Sequence, residues 1–385
     1  MTPGARIAAA IEILDQVQGG QAAEQALTRW ARARRFAGSG DRAAIRDHVY
    51  DALRHWRSDA CRGGGVTGRA RMIGRLRAQG HDVMALFDGA GHAPAPLSAL
   101  ESASGQAPEA EGDLWNLPDW LVAAFKQSLG QQAHDTALAL CQRAPVTLRV
   151  NMARTDRATA QAQLHAQGIE TTLNPRADTA LTVTDGPRRL RNAPSYLDGL
   201  VELQDGSSQA AMAGIEGTGT VLDFCAGGGG KSLALAAAGW QVTAHDIDAG
   251  RMRDLPARAE RGGHRIGLCS PQDIAKAGTF DVVLCDAPCS GSGTWRRTPE
   301  AKWNLTPERL DMLRALQSQV LDQAIAHVNA RGRLIYATCS VLHDENEGQI
   351  DAMLARHRGW HLAHAQRWPV DAWGDGFFAA HLVRD

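Results

Sequence analysis

From residue 203 onward, short apolar runs alternate with amphipathic stretches, and this rhythm restricts the fold more than any other feature. TVLDFCA, QVTAHDID, RIGLC, FDVVLCDAP and RLIYATCS read as strands, with helical patterns between most of them; the longest is PERLDMLRALQSQVLDQAIAHVNA. Apolar strands in repeated β-α succession predict an α/β fold with a Rossmann-like, doubly wound parallel sheet. Ligands of such sheets bind at the C-terminal ends of the strands. Those ends are unusually polar here, so they are the places to look for chemistry.

A chain of 385 residues predicts two or three domains. Residues 1–87 read as helices, because RIAAAIEILDQV, QAAEQALTRWARARR and DRAAIRDHVYDALRHW carry apolar residues at three- and four-residue steps. Residues 88–113 shift to Ala, Gly, Pro and Ser and read as a linker. Residues 114–202 give strand–helix–strand pieces (VTLRVNM, RATAQAQLHAQG, ALTVTD), which fit a small α+β module. Residues 203–385 form the sheet domain.

Net charge is -1, but residues 1–77 hold fourteen arginines against seven acids. Such an excess suits a polyanion such as nucleic acid, although it also fits a solvated helix surface. No apolar run is long enough for a membrane helix, and the acid-broken N-terminal stretch makes a poor signal peptide. Seven cysteines without a paired C-x-x-C pattern predict neither a disulfide framework nor a metal site. A cytoplasmic monomer with reduced thiols is the expectation.

LDFCAGGGGKS is a glycine loop between a strand and a helix, suited to close backbone approach and to an anion at a helix start. A P-loop ATPase is one reading, since Gly230, Lys231 and Ser232 fit, but Cys225 stands where its first glycine belongs. No frame supplies a dinucleotide fingerprint. S-adenosylmethionine predicts an acid after the next strand for the ribose hydroxyls and a polar residue after the third for adenine. Asp246 and Asp273 stand there. Either alone could be a helix cap, but the succession of glycine loop, Asp246, Asp273 and Asp286 at four strand ends favours the methyl donor.

Strand four ends in Asp286-Ala-Pro-Cys289, and strand five in Thr338-Cys339-Ser340. Neighbouring parallel strands bring such ends together. A thiolate that adds to carbon 6 of cytosine makes carbon 5 electron-rich, and a carboxyl group at N3 eases the addition. One acid and two thiols match that chemistry. The proline fixes the turn, and the glycines that follow let it approach a base.

LQDGSSQ, LDFCAGGGGKS, AHDID, LCDAPCSGSGTWRRTPEAKW, LIYATCSVLHDENEGQI and GDGFF occur in the order found in Fmu/RsmB-type RNA (cytosine-5) methyltransferases, and the chain resembles that family over most of residues 115–385. The resemblance implies Cys339 as nucleophile, Cys289 in product release and Asp286 at the cytosine. It implies S-adenosylmethionine held by Cys225, Ala226, Gly227, Gly228, Gly229, Gly230, Lys231, Asp246, Asp273 and Asp286. Arg297 and Lys302 would meet RNA, residues 1–87 would be a NusB-like RNA-binding domain, and ribosomal RNA would be the partner. A non-catalytic RNA-binding or assembly factor on the same fold is the rival expectation. One departure stands in the loop, where Gly228 replaces the family's proline.

Overall fold

The computed structural model describes residues 1–384, in two compact units. One unit comprises Met1–Arg143 together with Trp295–Leu305, the other Ala144–Thr294 together with Thr306–Asp385.

The first unit is helical. It begins with α1 (Pro3–Gln18), α2 (Ala23–Ala33), α3 (Ser39–Arg54), α4 (Trp56–Gly63) and α5 (Gly68–Ala78). Thr2 caps α1 and Thr67 caps α5, each accepting from a backbone N–H in the first turn. Ile7, Ile13, Leu14, Trp30, Ile45 and Met72 share one buried core, as the three- and four-residue spacing predicts. Two glycines let α4 and α5 touch. A Cβ on Gly63 would lie 1.8 Å from the Ala70 carbonyl oxygen, and one on Gly74 would lie 1.9 Å from that of Asp59.

The helical unit extends along the chain beyond residue 87. The stretch 88–113 is tied down by arginines of α5. Arg69 bonds to Glu101 and to the Ala95 and Pro96 carbonyls, and Arg77 bonds to the Glu101 and Ser104 carbonyls. The helices Asp119–Leu129 and Ala133–Cys141 fall within the compact helical unit. So does Trp295–Leu305, although the sequence around it belongs to the sheet domain.

In the second unit, β1 (Val146–Val150), β2 (Glu170–Leu173), β3 (Ala180–Asp185) and β4 (Val201–Leu203) form an antiparallel sheet of order β2-β3-β1-β4. It is fixed to the main sheet domain by polar side chains. Asn151 donates to the Gly262 carbonyl (2.8 Å), Asn174 to the Trp373 carbonyl (2.8 Å), and Arg176 pairs with Asp371 (2.6 Å).

The main sheet holds β5 (Thr220–Asp223), β6 (Gln241–His245), β7 (Ile266–Cys269), β8 (Phe280–Asp286), β9 (Val328–Thr338), β10 (Trp360–Trp368) and β11 (Phe377–Arg384), in the order β10-β11-β9-β8-β5-β6-β7. The five strands read from the sequence are parallel and adjacent as predicted. The sheet is mixed rather than wholly parallel, because β11 pairs antiparallel with β9 and β10 antiparallel with β11. One buried cluster contains Leu222, Val283, Tyr336 and Phe378, and a second contains Val221, Leu284, Ile335 and Phe377. Successive residues of one strand thus fall into different clusters, which explains the near-continuous apolar runs. No helix among the described residues is long and apolar enough to cross a membrane.

Candidate active site

Strands β8 and β9 run side by side in register, with Cys285 opposite Tyr336 and Asp286 opposite Ala337. The Ala287 N–H donates to the Ala337 carbonyl (2.9 Å), which carries the pairing one residue past the strand. The two strand ends therefore emerge together, and the Sγ atoms of Cys289 and Cys339 stand 3.5 Å apart. Both cysteines are half-buried and in no disulfide.

A hydrogen bond to Cys339, burial, and the charges of Cys339 and Glu345 together push the Cys289 thiol well above its usual range. Cys289 thus stays protonated and can donate to the sulfur of Cys339.

Lys231, in the first turn of the helix Gly230–Ala237, reaches Asp286 with Nζ 2.6 Å from Oδ2. Burial alone would lower the lysine, but the adjacent carboxylate outweighs it and the net shift is upward. The ammonium lies 5.1 Å from the centre of the Phe377 ring, and it and a Cys339 thiolate attract one another.

The glycine loop follows β5. Gly227 and Gly229 adopt positive φ, +52° and +79°, which side-chain-bearing residues rarely take. A Cβ on Gly229 would lie 2.2 Å from Leu255 Cδ1. Gly228 has no such constraint; it is exposed, and a Cβ there would come no closer than 3.4 Å to Arg258. Asp246 is buried at the end of β6. Oδ2 accepts from the Gly227 N–H (2.9 Å) and from Arg251 (3.1 Å), and Oδ1 accepts from the Asp248 N–H (3.0 Å). Asp273 is exposed beyond β7 and accepts from the Ser270 hydroxyl (2.7 Å).

These residues fit S-adenosylmethionine. The loop is a cradle that side chains would fill. Asp246 has used three of its roughly four acceptor sites, which leaves room for a ribose hydroxyl. Burial pushes the Cys225 thiol far up, so it lines the loop as a neutral group.

The residues expected to meet RNA behave differently. Arg297 is exposed in the helical unit, where it lines a cavity of about 470 Å³ with Arg46, Arg54, Arg143, His48 and His81 and with the acids Asp47 and Asp51. Lys302 is buried instead. Its ammonium donates to the Arg54 carbonyl (3.2 Å), lies 4.7 Å from the Trp303 ring centre, and is lowered by burial to about 8. An ammonium so enclosed has no path to a phosphate, and the expected RNA contact at Lys302 is corrected on that ground.

The sequence reading missed Asp223 and Glu345. Asp223, fully buried at the end of β5, accepts from Ser232 (2.6 Å), and burial pushes its carboxyl up to about 7. Its position at the end of an apolar run was a usable signal. Glu345 follows Cys339 by six residues and carries no local mark of its contacts.

The strand order, the reversed β11 and the glycine loop after β5 are those of the Rossmann-like fold of S-adenosylmethionine-dependent methyltransferases. Residues 212–383 match the family model for 16S rRNA methyltransferase RsmB/F, and residues 117–188 match that for the RsmF/B-like ferredoxin-like domain. The chain belongs to this RsmB/F methyltransferase family, which sets aside the ATPase reading. It is 34% identical over 285 residues to ribosomal RNA small subunit methyltransferase B of Klebsiella pneumoniae (strain 342). That alignment covers 69% of this chain and 66% of the relative, just under two thirds of its length. The Escherichia coli O157:H7 protein of the same name is 33% identical over the same coverage. Among solved structures, PH0851 superposes over 100% of this chain and 99% of its own, with a TM-score of 0.77 and 23% identity. A methyltransferase homolog protein from Pyrococcus horikoshii covers 70% of this chain and 96% of its own, at TM-score 0.61 and 24% identity. These two likenesses establish the fold.

Proposed function

We propose that this protein methylates carbon 5 of a cytosine in RNA, with small-subunit ribosomal RNA as substrate, through a covalent cysteine adduct. The observation that carries the reading is the 3.5 Å approach of two thiols at adjacent strand ends, beside an Asp286–Lys231 pair. The names of the curated relatives support the RNA class.

Bound S-adenosylmethionine supplies an electrophilic methyl group. The glycine loop, Asp246 and Asp273 hold it. The Asp286–Lys231 pair offers one acceptor and one donor to the edge of the cytosine. The Cys339 thiolate adds to carbon 6, and the electron pair displaced from the carbon 5–carbon 6 bond makes carbon 5 nucleophilic. Cys289 Sγ stands 3.5 Å from that sulfur, within reach of a shared hydrogen bond. Once carbon 5 carries the methyl, its proton must leave to a base before the carbon–sulfur bond breaks. The carbon 5–carbon 6 double bond then re-forms and expels Cys339 as a thiolate, a departure that the Cys289 thiol assists by hydrogen bonding. The target base leaves its stack to reach such a site. Arg297 and the cavity around it are suited to an RNA phosphate, so binding weakens with salt.

Cys339→Ala should abolish transfer to RNA while cofactor affinity by calorimetry stays near that of the wild type. Cys289→Ala should accumulate a protein–RNA adduct on denaturing gels. Turnover by Cys339→Ala at the wild-type rate would refute the reading. It would also be refuted by a methylated base other than cytosine after nuclease digestion.

A further inference from the structure

The proposed two-thiol chemistry leaves the fully buried Glu345 beside both thiol loops without a role. Glu345 has no exposed surface, yet it lies on a short turn just after β9 rather than in an apolar core. Its Oε1 accepts from the Ser290 N–H (2.8 Å) and from Gln317 Nε2 (3.0 Å). Its Oε2 accepts from the Ser290 and Ser340 hydroxyls, the latter at 2.6 Å. Ser290 follows Cys289 directly, and Ser340 follows Cys339. A single carboxylate is therefore bonded to the residue after each thiol.

The surrounding bonds reinforce this junction. The Ser292 and Ser340 hydroxyls meet at 2.8 Å, the Gly293 N–H donates to the Cys339 carbonyl (2.9 Å), and Gln317 also donates to the Pro288 carbonyl (3.0 Å). Glu345 is itself anchored, because its carbonyl accepts from the Tyr336 hydroxyl (2.7 Å). Burying a carboxylate is costly unless donors surround it. Here four donors do so, and they come from both thiol loops and the helix behind them. A glutamine could accept at only one terminal atom and would have to donate at the other.

We infer that Glu345 is a positioning residue that clamps the Cys289 and Cys339 loops together and so fixes the separation of their sulfurs. This rests on the two-thiol reading above. The charge of Glu345 has a second effect, since it contributes to holding the Cys289 proton in place.

The test uses the full chain with Glu345→Gln, Glu345→Ala and Ser340→Ala. On RNA, Glu345→Ala should lose about 100-fold in kcat, the scale of a misplaced reacting group, with KM and cofactor affinity within about twofold of wild type. Glu345→Gln should recover part of that rate. Iodoacetamide labelling resolved by mass spectrometry should show Cys289 reacting at lower pH in Glu345→Gln, because the neighbouring anion is gone. Should Glu345→Ala fail to fold, Ser340→Ala removes one strut and should still lower kcat without raising KM. Wild-type kcat in both folded variants, or an unmoved Cys289 labelling profile in Glu345→Gln, overturns the inference. A dead Cys339→Ala beside a fully active Glu345→Ala would sink the clamp alone, whereas an active Cys339→Ala would sink the two-thiol reading beneath it.

Discussion

In the helical unit, Asp59 on α4 is fully buried and neither carboxylate oxygen accepts a hydrogen bond; the Arg75 guanidinium stands 3.8 Å away. In the sheet unit, Glu345 is buried to the same depth and accepts four. Burial alone therefore does not decide what a charge does. At Asp59, loss of water outweighs the arginines and pushes the carboxyl up to about 8. At Glu345 the donors turn a charge into a fixed geometry. Lys302 belongs with Asp59, since its few partners do not offset burial.

The comparison is broken or sharpened by removing these charges one at a time. The largest effect is expected for Glu345→Ala, which strands four donors and should cost roughly 4 kcal/mol in chemical denaturation of the full chain. The opposite sign is expected for Asp59→Asn. A buried acid with a raised pKa stabilises the fold only while protonated, so wild type loses stability as pH rises from about 4 to 8. The variant should gain over wild type across that window, by about 2 kcal/mol at pH 8 after the attraction of Arg75 is discounted. Hydrogen exchange in α1–α5 reports it. Lys302→Met should give the smallest change, a gain of about 1 kcal/mol at pH 7. Wild type keeps a buried ammonium below about 8 and sheds it above, so this gain should fade between pH 8 and 10.5. If Asp59→Asn destabilised the helices as much as Glu345→Ala destabilises the sheet unit, the contrast would fail.

What could be read beforehand was local or topological. Apolar runs covered on both faces mark β5–β9 in one dimension, and the rule for strand ends follows from parallel pairing. Hence Asp286, Cys289 and Cys339 could be brought together without coordinates. The clamp was not legible, because, Ser340 apart, the donors to Glu345 lie at Ser290 and Gln317, 55 and 28 residues away in sequence. The antiparallel β10 is exposed along most of its length and lacks the apolar signature of its neighbours. The basic N-terminal region misled in another way. Arg34, Arg46, Arg57 and Arg69 each pair with a carboxylate, with N–O distances between 2.6 and 2.8 Å, so part of the charge excess ties the unit to itself. Lys302 was conspicuous because lysines are so few, yet it serves packing.

Because Trp295–Leu305 belongs to the helical unit, the backbone leaves that unit after Arg143, returns for eleven residues, and departs again at Thr306. Trp295 stacks on Phe125 with ring centres 5.9 Å apart, and the Trp303 indole donates to the Leu53 carbonyl. An N-terminal truncation therefore cannot lift the helices off as a separate bead. It would strip the cover from two tryptophans that begin one residue after the thiol loop, and a chimera that exchanges the helices for those of another protein has to carry both stretches or neither.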